Sequence, residues 1–198
     1  MTRMSAQDRR VELVAAAFRV VAARGVASAS VRAICQEAGM ALASFHYAFE
    51  SRDALMAELV NVVVEAERGA MLPPLAPGES FRDTVRLGLE RYLQYLRSDP
   101  HREKAMLELT QYALRTPALE AVASRQYERY HALAEDALAT AAALWNVTWT
   151  MPIVDVARIL VVVTDGVTLS WLVTRDDDAA ARALDFAADS VMTLAVAA

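Results

Sequence analysis

All six prolines of this 198-residue chain fall at four places: 73, 74 and 77 together, then 100, 117 and 152. Proline lacks a backbone N–H and its ring clashes with the carbonyl four residues back, so it belongs at helix starts and in breaks between elements. Between these breaks the apolar residues recur with helical spacing, as in Val11, Val14, Phe18 and Val21, or Phe81, Val85, Leu89, Tyr92 and Leu96. Only six glycines and 56% hydrophobic residues argue for packed helices rather than a strand-rich or disordered chain. The expected fold is all-α with about nine helices, over 6–24, 31–38, 42–48, 52–68, 80–97, 101–115, 118–144, 153–173 and 179–196. No strand run, internal repeat or low-complexity tract competes with this pattern.

The net charge of −5 hides an asymmetry. Residues 1–52 hold seven arginines (3, 9, 10, 19, 24, 32 and 52) against four acids (8, 12, 37 and 50), a net of +3, which leaves −8 on residues 53–198. A basic head on an acidic body suits a protein in which only the head meets phosphate, since charges more than ~10 Å apart are largely screened. The single cysteine, Cys35, has no internal disulfide partner, which fits a reducing compartment. Met1 to Asp8 has no apolar signal-peptide core. The most apolar run, Ile153 to Val173, is interrupted by Asp155, Arg158 and Asp165, so it reads as a buried helix rather than a membrane span. A cytoplasmic location with no membrane partner is expected.

Residues 28–55 carry the densest signal. Ser30 is placed to cap a helix whose inner stripe is Val31, Ile34 and Ala38. Gly39 supplies the left-handed residue that ends this helix, and Phe45 and Phe49 face inward from the next. Two short helices joined by a glycine turn form a helix-turn-helix. Cys35 sits where those helices approach and only a small side chain fits, so it reads as a buried thiol. Ser51 is the expected N-cap of helix four, and Asp176-Asp177-Asp178 reads as a cap for helix nine rather than a metal site.

This stretch resembles the TetR family of repressors. The resemblance rests on Ser30-Val31-Arg32-Ala33-Ile34-Cys35, the Ala38-Gly39 turn, Ser44-Phe45-His46-Tyr47-Ala48-Phe49 and Ser51-Arg52-Asp53-Ala54-Leu55. A second element, Thr164 to Leu172, is similar to the Asp-Gly-Leu segment on helix eight of many members. His46 stands where the family usually has tyrosine, Ala48 where it often has histidine, Ala41 at the usual serine cap of helix three, and Arg52 at the usual lysine. The resemblance implies a DNA-binding domain over residues 1–51, a helical ligand-binding and dimerisation domain over 52–198, and a ligand-responsive repressor that binds a pseudo-palindromic operator as a homodimer.

A recognition helix in the major groove presents its N-terminal face to base edges. Here that face is Ala41, Leu42, Ala43, Ser44 and His46, with Tyr47 toward the backbone. Few of these make bidentate bonds, so readout leans on thymine-methyl contacts by Leu42 or Ala43, one hydrogen bond from Ser44, and DNA shape. Affinity is expected from Ser30, Arg32, Tyr47, Arg52 and the backbone N–H groups that open helices two and four.

Helix eight divides into two faces. Ile153, Val156, Leu160, Val163 and Val167 form an apolar stripe that, with Leu184, Ala187, Val191 and Leu194 of helix nine, is expected to build a two-fold four-helix dimer interface. Ala157, Val161, Thr164, Thr168 and Trp171 form a mixed face. It is expected to line a ligand pocket with Tyr92, Tyr95, Met106, Thr110, Tyr112, Tyr127, Tyr130, Trp145 and Trp149, which together favour an apolar, aromatic or polycyclic effector. Asp165 inside this helix is either an anchor for a ligand amine or hydroxyl or a carboxylate hydrogen-bonded between helices. Asp155 and Arg158 read as a surface pair. His101 and His131 lack partners at metal spacing, so neither a metal nor a cofactor is expected. Nor does the sequence hold a nucleophile with its base, a carboxylate pair or a phosphate loop, so no enzyme is expected. The competing reading is a helical carrier of apolar small molecules that does not touch DNA.

Overall fold

The computed structural model of the chain describes residues 4–71 and 80–197. Pro73, Pro74 and Pro77, expected in one loop, lie outside the described residues. Nine helices appear among those described: α1 Ala6–Arg24, α2 Val31–Glu37, α3 Leu42–Ala48, α4 Arg52–Met71, α5 Phe81–Ser98, α6 Pro100–Leu114, α7 Glu120–Trp145, α8 Ile153–Thr174 and α9 Asp177–Thr193. The starts are set by side chains that satisfy first-turn N–H groups. Ser30 Oγ accepts from Ala33 at 3.2 Å, Ser51 Oγ from Ala54 at 3.0 Å and Asp176 Oδ1 from Ala179 at 2.8 Å, as expected of all three.

Two short strands depart from the sequence reading. Asn146 takes a left-handed φ of 50° and turns the chain off the end of α7. β1 (Val147–Trp149) then pairs antiparallel with β2 (Ala195–Ala197), Val147 opposite Ala197 and Trp149 opposite Ala195. Helix nine, expected to reach 196, therefore stops at Thr193. Three residues are too few for an alternating pattern to register, and here the β-forming Val, Thr and Trp decide the local structure.

The described residues group into two compact units, Met1–Glu65 with His101–Gln126, and Ala66–Pro100 with Tyr127–Ala198. In the first, α1 buries Leu13, Val14, Ala16, Ala17, Val20 and Val21. They form a core with Ile34 and Cys35 of α2, Phe45 and Phe49 around α3, and Leu55, Met56 and Leu59 of α4. Val11, counted in the expected stripe of helix one, is 57% exposed instead. The inward face is turned toward Ala16 and Ala17, whose small side chains let α2 and α3 approach closely.

The second unit is a helical stack. One face of α5, from Phe81 through Val85, Leu89 and Leu93 to Leu96, packs with Leu138 of α7, Val156, Ala157, Val167, Trp171 and Leu172 of α8, and Leu184, Ala187, Ala188 and Val191 of α9. At the rim, Arg82, Arg86 and Arg97 of α5 pair with Asp189, Asp185 and Asp177 of α9. By length and composition α8 is apolar enough to cross a membrane, and seven of its residues are buried within this unit.

Candidate DNA interface and effector site

The surface expected to meet DNA is built by α3 and the two ends that hold it. Gly39, with φ of 64°, reverses the chain between α2 and α3, a conformation that costs a residue with a Cβ about 1–2 kcal/mol. Phe45 and Phe49 anchor α3 from below, their rings 5.7 Å apart. This leaves Ala41, Leu42, Ala43, His46 and Tyr47 exposed, Tyr47 at 84%, with Ser44 half-buried. Ala41 occupies the N-cap position without a side-chain cap bond, and the first turn of α3 is closed by its backbone instead, Ser44 N donating to Ala41 O at 2.9 Å. Arg32 projects from α2, exposed and without a hydrogen bond or ion pair among the described residues. The expected reading face is thus presented as a surface.

Arg52 departs from its expected role at phosphate. Its Nε donates to Ala29 O at 2.6 Å, Nη2 to Val26 O at 2.6 Å and Nη1 to the Tyr112 hydroxyl at 2.6 Å. The guanidinium also lies 4.9 Å from the centre of the Tyr112 ring. A fork whose every arm bonds protein closes the 3₁₀ turn Val26–Ser28 instead of reaching outward. Arg10 is committed similarly: it pairs with Glu58, donates to Ala48 O at the end of α3 and sits 4.2 Å over the Phe49 ring. Arg19 bridges Glu12 and Glu37. The head's basic surplus is therefore smaller in effect than its count. Little in the sequence distinguishes these tied arginines from free ones, because all of their partners but Glu12 lie 18 to 60 residues away.

Tyr112 and Glu108 of α6, unmarked in the sequence as head contacts, complete this network. The Tyr112 hydroxyl donates to Asp53 Oδ1 at 2.6 Å, and burial followed by that carboxylate raises its pKa. Glu108 Oε2 accepts from Val26 N at 2.7 Å. Gly25 lets the carboxylate in: a Cβ there would lie 2.8 Å from Glu108 Oε2, and its φ of 80° already favours glycine. Tyr112, expected at the ligand pocket, belongs to this tie instead.

The expected effector residues divide between the units. Met106 and Thr110 belong to the first, where Met106 is buried and the Thr110 hydroxyl hydrogen-bonds to Met106 O and Gln126. In the second, Tyr127 donates to Asp165 Oδ2 at 2.9 Å, with Tyr130 and His131 edge-on to the Tyr127 ring at 5.8 and 6.1 Å. Tyr92 shares a hydrogen bond with Thr168 and lies 3.5 Å from Thr164 O, while Tyr95 is half-buried on the same helix. Burial pushes the Asp165 carboxyl up, and burial followed by Asp165 pushes the Tyr127 hydroxyl up to about 12. The three tryptophans are elsewhere engaged. Trp145 Nε1 donates to Thr84, Trp171 Nε1 to Asp177, and Trp149 packs edge-on against Phe81. Their size makes them core fillers, and the N–H groups of Trp145 and Trp171 find partners within the unit.

The expected dimer stripe is likewise corrected. Val156, Val167, Leu184, Ala187 and Val191 are buried within the single chain, and Ile153, Leu160, Val163 and Leu194 pack against the same core. The face of α8 left uncovered carries Ile159, Val162, Leu169 and Val173, between 50% and 75% exposed, with Gly166 in line between them. Phe186 of α9 is 68% exposed. A helix apolar on most sides gives no sign in its sequence of which stripe the chain itself covers.

This pairing of a helix-turn-helix with a helical body defines a DNA-binding regulator. The family model for bacterial regulatory proteins of the tetR family matches residues 13–59, and the model for the C-terminal region of BetI-type transcriptional repressors matches residues 81–196. The chain belongs to the tetR family and is a transcriptional regulator. It is 31% identical, over 88% of its length and 89% of the relative's, to the HTH-type nicotine-responsive transcriptional repressor HdnoR of Paenarthrobacter nicotinovorans. The multidrug binding protein EbrR, solved in complex with imidazole, is 32% identical with a TM-score of 0.67, covering 90% of this chain and 94% of that one. A TetR-family regulator from Mesorhizobium loti MAFF303099 shares the fold, with a TM-score of 0.78 at 16% identity, covering 98% and 99% of the two chains.

Proposed function

We propose that this protein is a dimeric repressor whose residues 1–51 bind a pseudo-palindromic operator and whose residues 52–198 dimerise and release it when a small aromatic effector binds. The observation that carries the DNA reading is the exposed face of Ala41, Leu42, Ala43, His46 and Tyr47, with half-buried Ser44 among them, beside Arg32, which is unpaired among the described residues. Such a surface reads bases weakly and gains affinity from phosphates, with Ser30 and Tyr47 contributing hydroxyls. The effector reading is supported by Asp165 beside Tyr127, by one relative that is nicotine-responsive, and by another that is a multidrug binding protein solved in complex with imidazole. The dimer would form through the Ile159, Val162, Gly166, Leu169 and Val173 stripe with Phe186, two heads then spanning successive major grooves ~34 Å apart.

Unit one ties α6 to the head through Glu108 and Tyr112, so effector binding would reach the head along α4 and α6, altering head spacing. Selection of bound fragments from a random duplex pool tests the reading. A palindromic consensus is expected, with log K falling ~0.9 per phosphate neutralised as log salt rises. Binding to no duplex, or binding flat in salt, would leave the carrier of small molecules as the better account.

A further inference from the structure

Asp165 has more charge than its structural task requires. It lies at the middle of an apolar helix, and among the described residues its carboxylate accepts one hydrogen bond, from Tyr127 to Oδ2, leaving Oδ1 without a donor. Among the described residues no Arg or Lys forms an ion pair with it; the basic group acting on it is His131, one turn along α7 from Tyr127. A tie between α7 and α8 needs only an acceptor for the Tyr127 hydroxyl, and a neutral amide oxygen would serve. Burial raises this carboxyl, so its ionised form is held at a cost that a fixed counter-charge would offset.

Its one donor, Tyr127, brings an aromatic ring to the carboxylate. Tyr127 and Tyr130 meet edge to face, and one turn along α8 the Thr168 hydroxyl holds Tyr92 by a hydrogen bond. An aromatic ring attracts a cation to its face, and a half-buried carboxylate at the same place adds full charge to that quadrupole. A neutral apolar ligand covering Asp165 would strip water from Oδ1 and return nothing.

We infer that the site takes a small organic cation, with Asp165 as counter-charge and the Tyr127 and Tyr130 rings as packing faces, an inference resting on the effector-binding reading proposed above. Charge on the ligand, more than its apolar area, then sets affinity.

Isosteric pairs test this on the full-length protein by calorimetry: 3-(trimethylammonio)phenol against 3-tert-butylphenol, and choline against 3,3-dimethylbutan-1-ol. Wild type should bind the cation of at least one pair about tenfold or more tightly than its neutral partner. Asp165→Asn, which keeps an acceptor for Tyr127, should erase that preference, whereas Tyr127→Phe should retain most of it. Equal binding of both partners, a preference that survives Asp165→Asn, or binding of neither cation would overturn the inference. Should Asp165→Asn fail to fold, the wild-type comparison decides alone. Duplex binding by the same preparations separates the two readings. Retained duplex binding without cation preference sinks only this inference; cation preference without duplex binding sinks only the repressor.

Discussion

Arg52 shows how a residue type underdetermines a role. An arginine beside a helix-turn-helix suggests a phosphate contact, and here three backbone or hydroxyl acceptors hold it within the protein. Arg52→Ala should therefore weaken every duplex alike by loosening the head, lower the melting temperature, and leave the salt slope unchanged. A lost phosphate contact would instead reduce that slope by about one. Arg32→Ala is expected to do the latter, with little change in melting. Asp165 gives a second residue-scale prediction through pH. Its folded pKa is raised by burial, so between the unfolded and folded values the native state binds the extra proton and stability falls as pH rises. Tyr127, pushed up to about 12, remains neutral throughout, and His131 is the other titratable group beside the pair. Ligand-free Asp165→Asn should melt higher than wild type near neutrality, the gap closing as pH falls toward the ordinary carboxylate pKa of about 4. Melting curves from pH 4 to 8 would contradict this if the gap were constant.

At the scale of elements, local chemistry was legible and partnership was not. Ser30, Ser51 and Asp176 cap the helices they precede, and Gly39 turns where its lack of a Cβ predicts, because caps and turns are decided within four residues. The strands at Val147–Trp149 and Ala195–Ala197 join segments nearly 50 residues apart, and the tryptophans expected at a ligand pocket were claimed by a core that only the assembled stack defines. The exposure of one face of α3 could be anticipated from its motif, while the Glu108 and Tyr112 ties from α6 could not. Two glycines separate these levels experimentally. Gly39→Ala meets nothing within 4 Å and should lose only the cost of the left-handed backbone, about 1–2 kcal/mol. Gly25→Ala adds a clash with the Glu108 carboxylate and should destabilise more, with Glu108→Ala in the same chain recovering part of the difference. Equal losses at the two glycines would show that the Glu108 contact is not held in solution.

For the whole molecule, the decisive quantity is what covers the outer face of α8. Ile159, Val162, Leu169 and Val173 follow one another at three-, seven- and four-residue steps, and Gly166 sits in the middle of the row with open space above its Cα. A row of this spacing is one stripe of a helix, and a glycine at its centre permits close approach of a second helix across a two-fold axis. Covering it would remove four large apolar side chains and Phe186 from water on each protomer, at roughly 25 cal/mol per Å² buried. Val162→Glu places a charge in that row without touching either core, so the monomer fold should survive. Light scattering should then report a monomer with wild-type helical content. Its affinity for a half-site duplex should stay near that of the wild type, and affinity for the full palindrome should collapse toward the half-site value, because the two heads no longer share one binding event. A variant that remained dimeric with full palindrome affinity would move the interface to a different face and with it the proposed route from effector to operator.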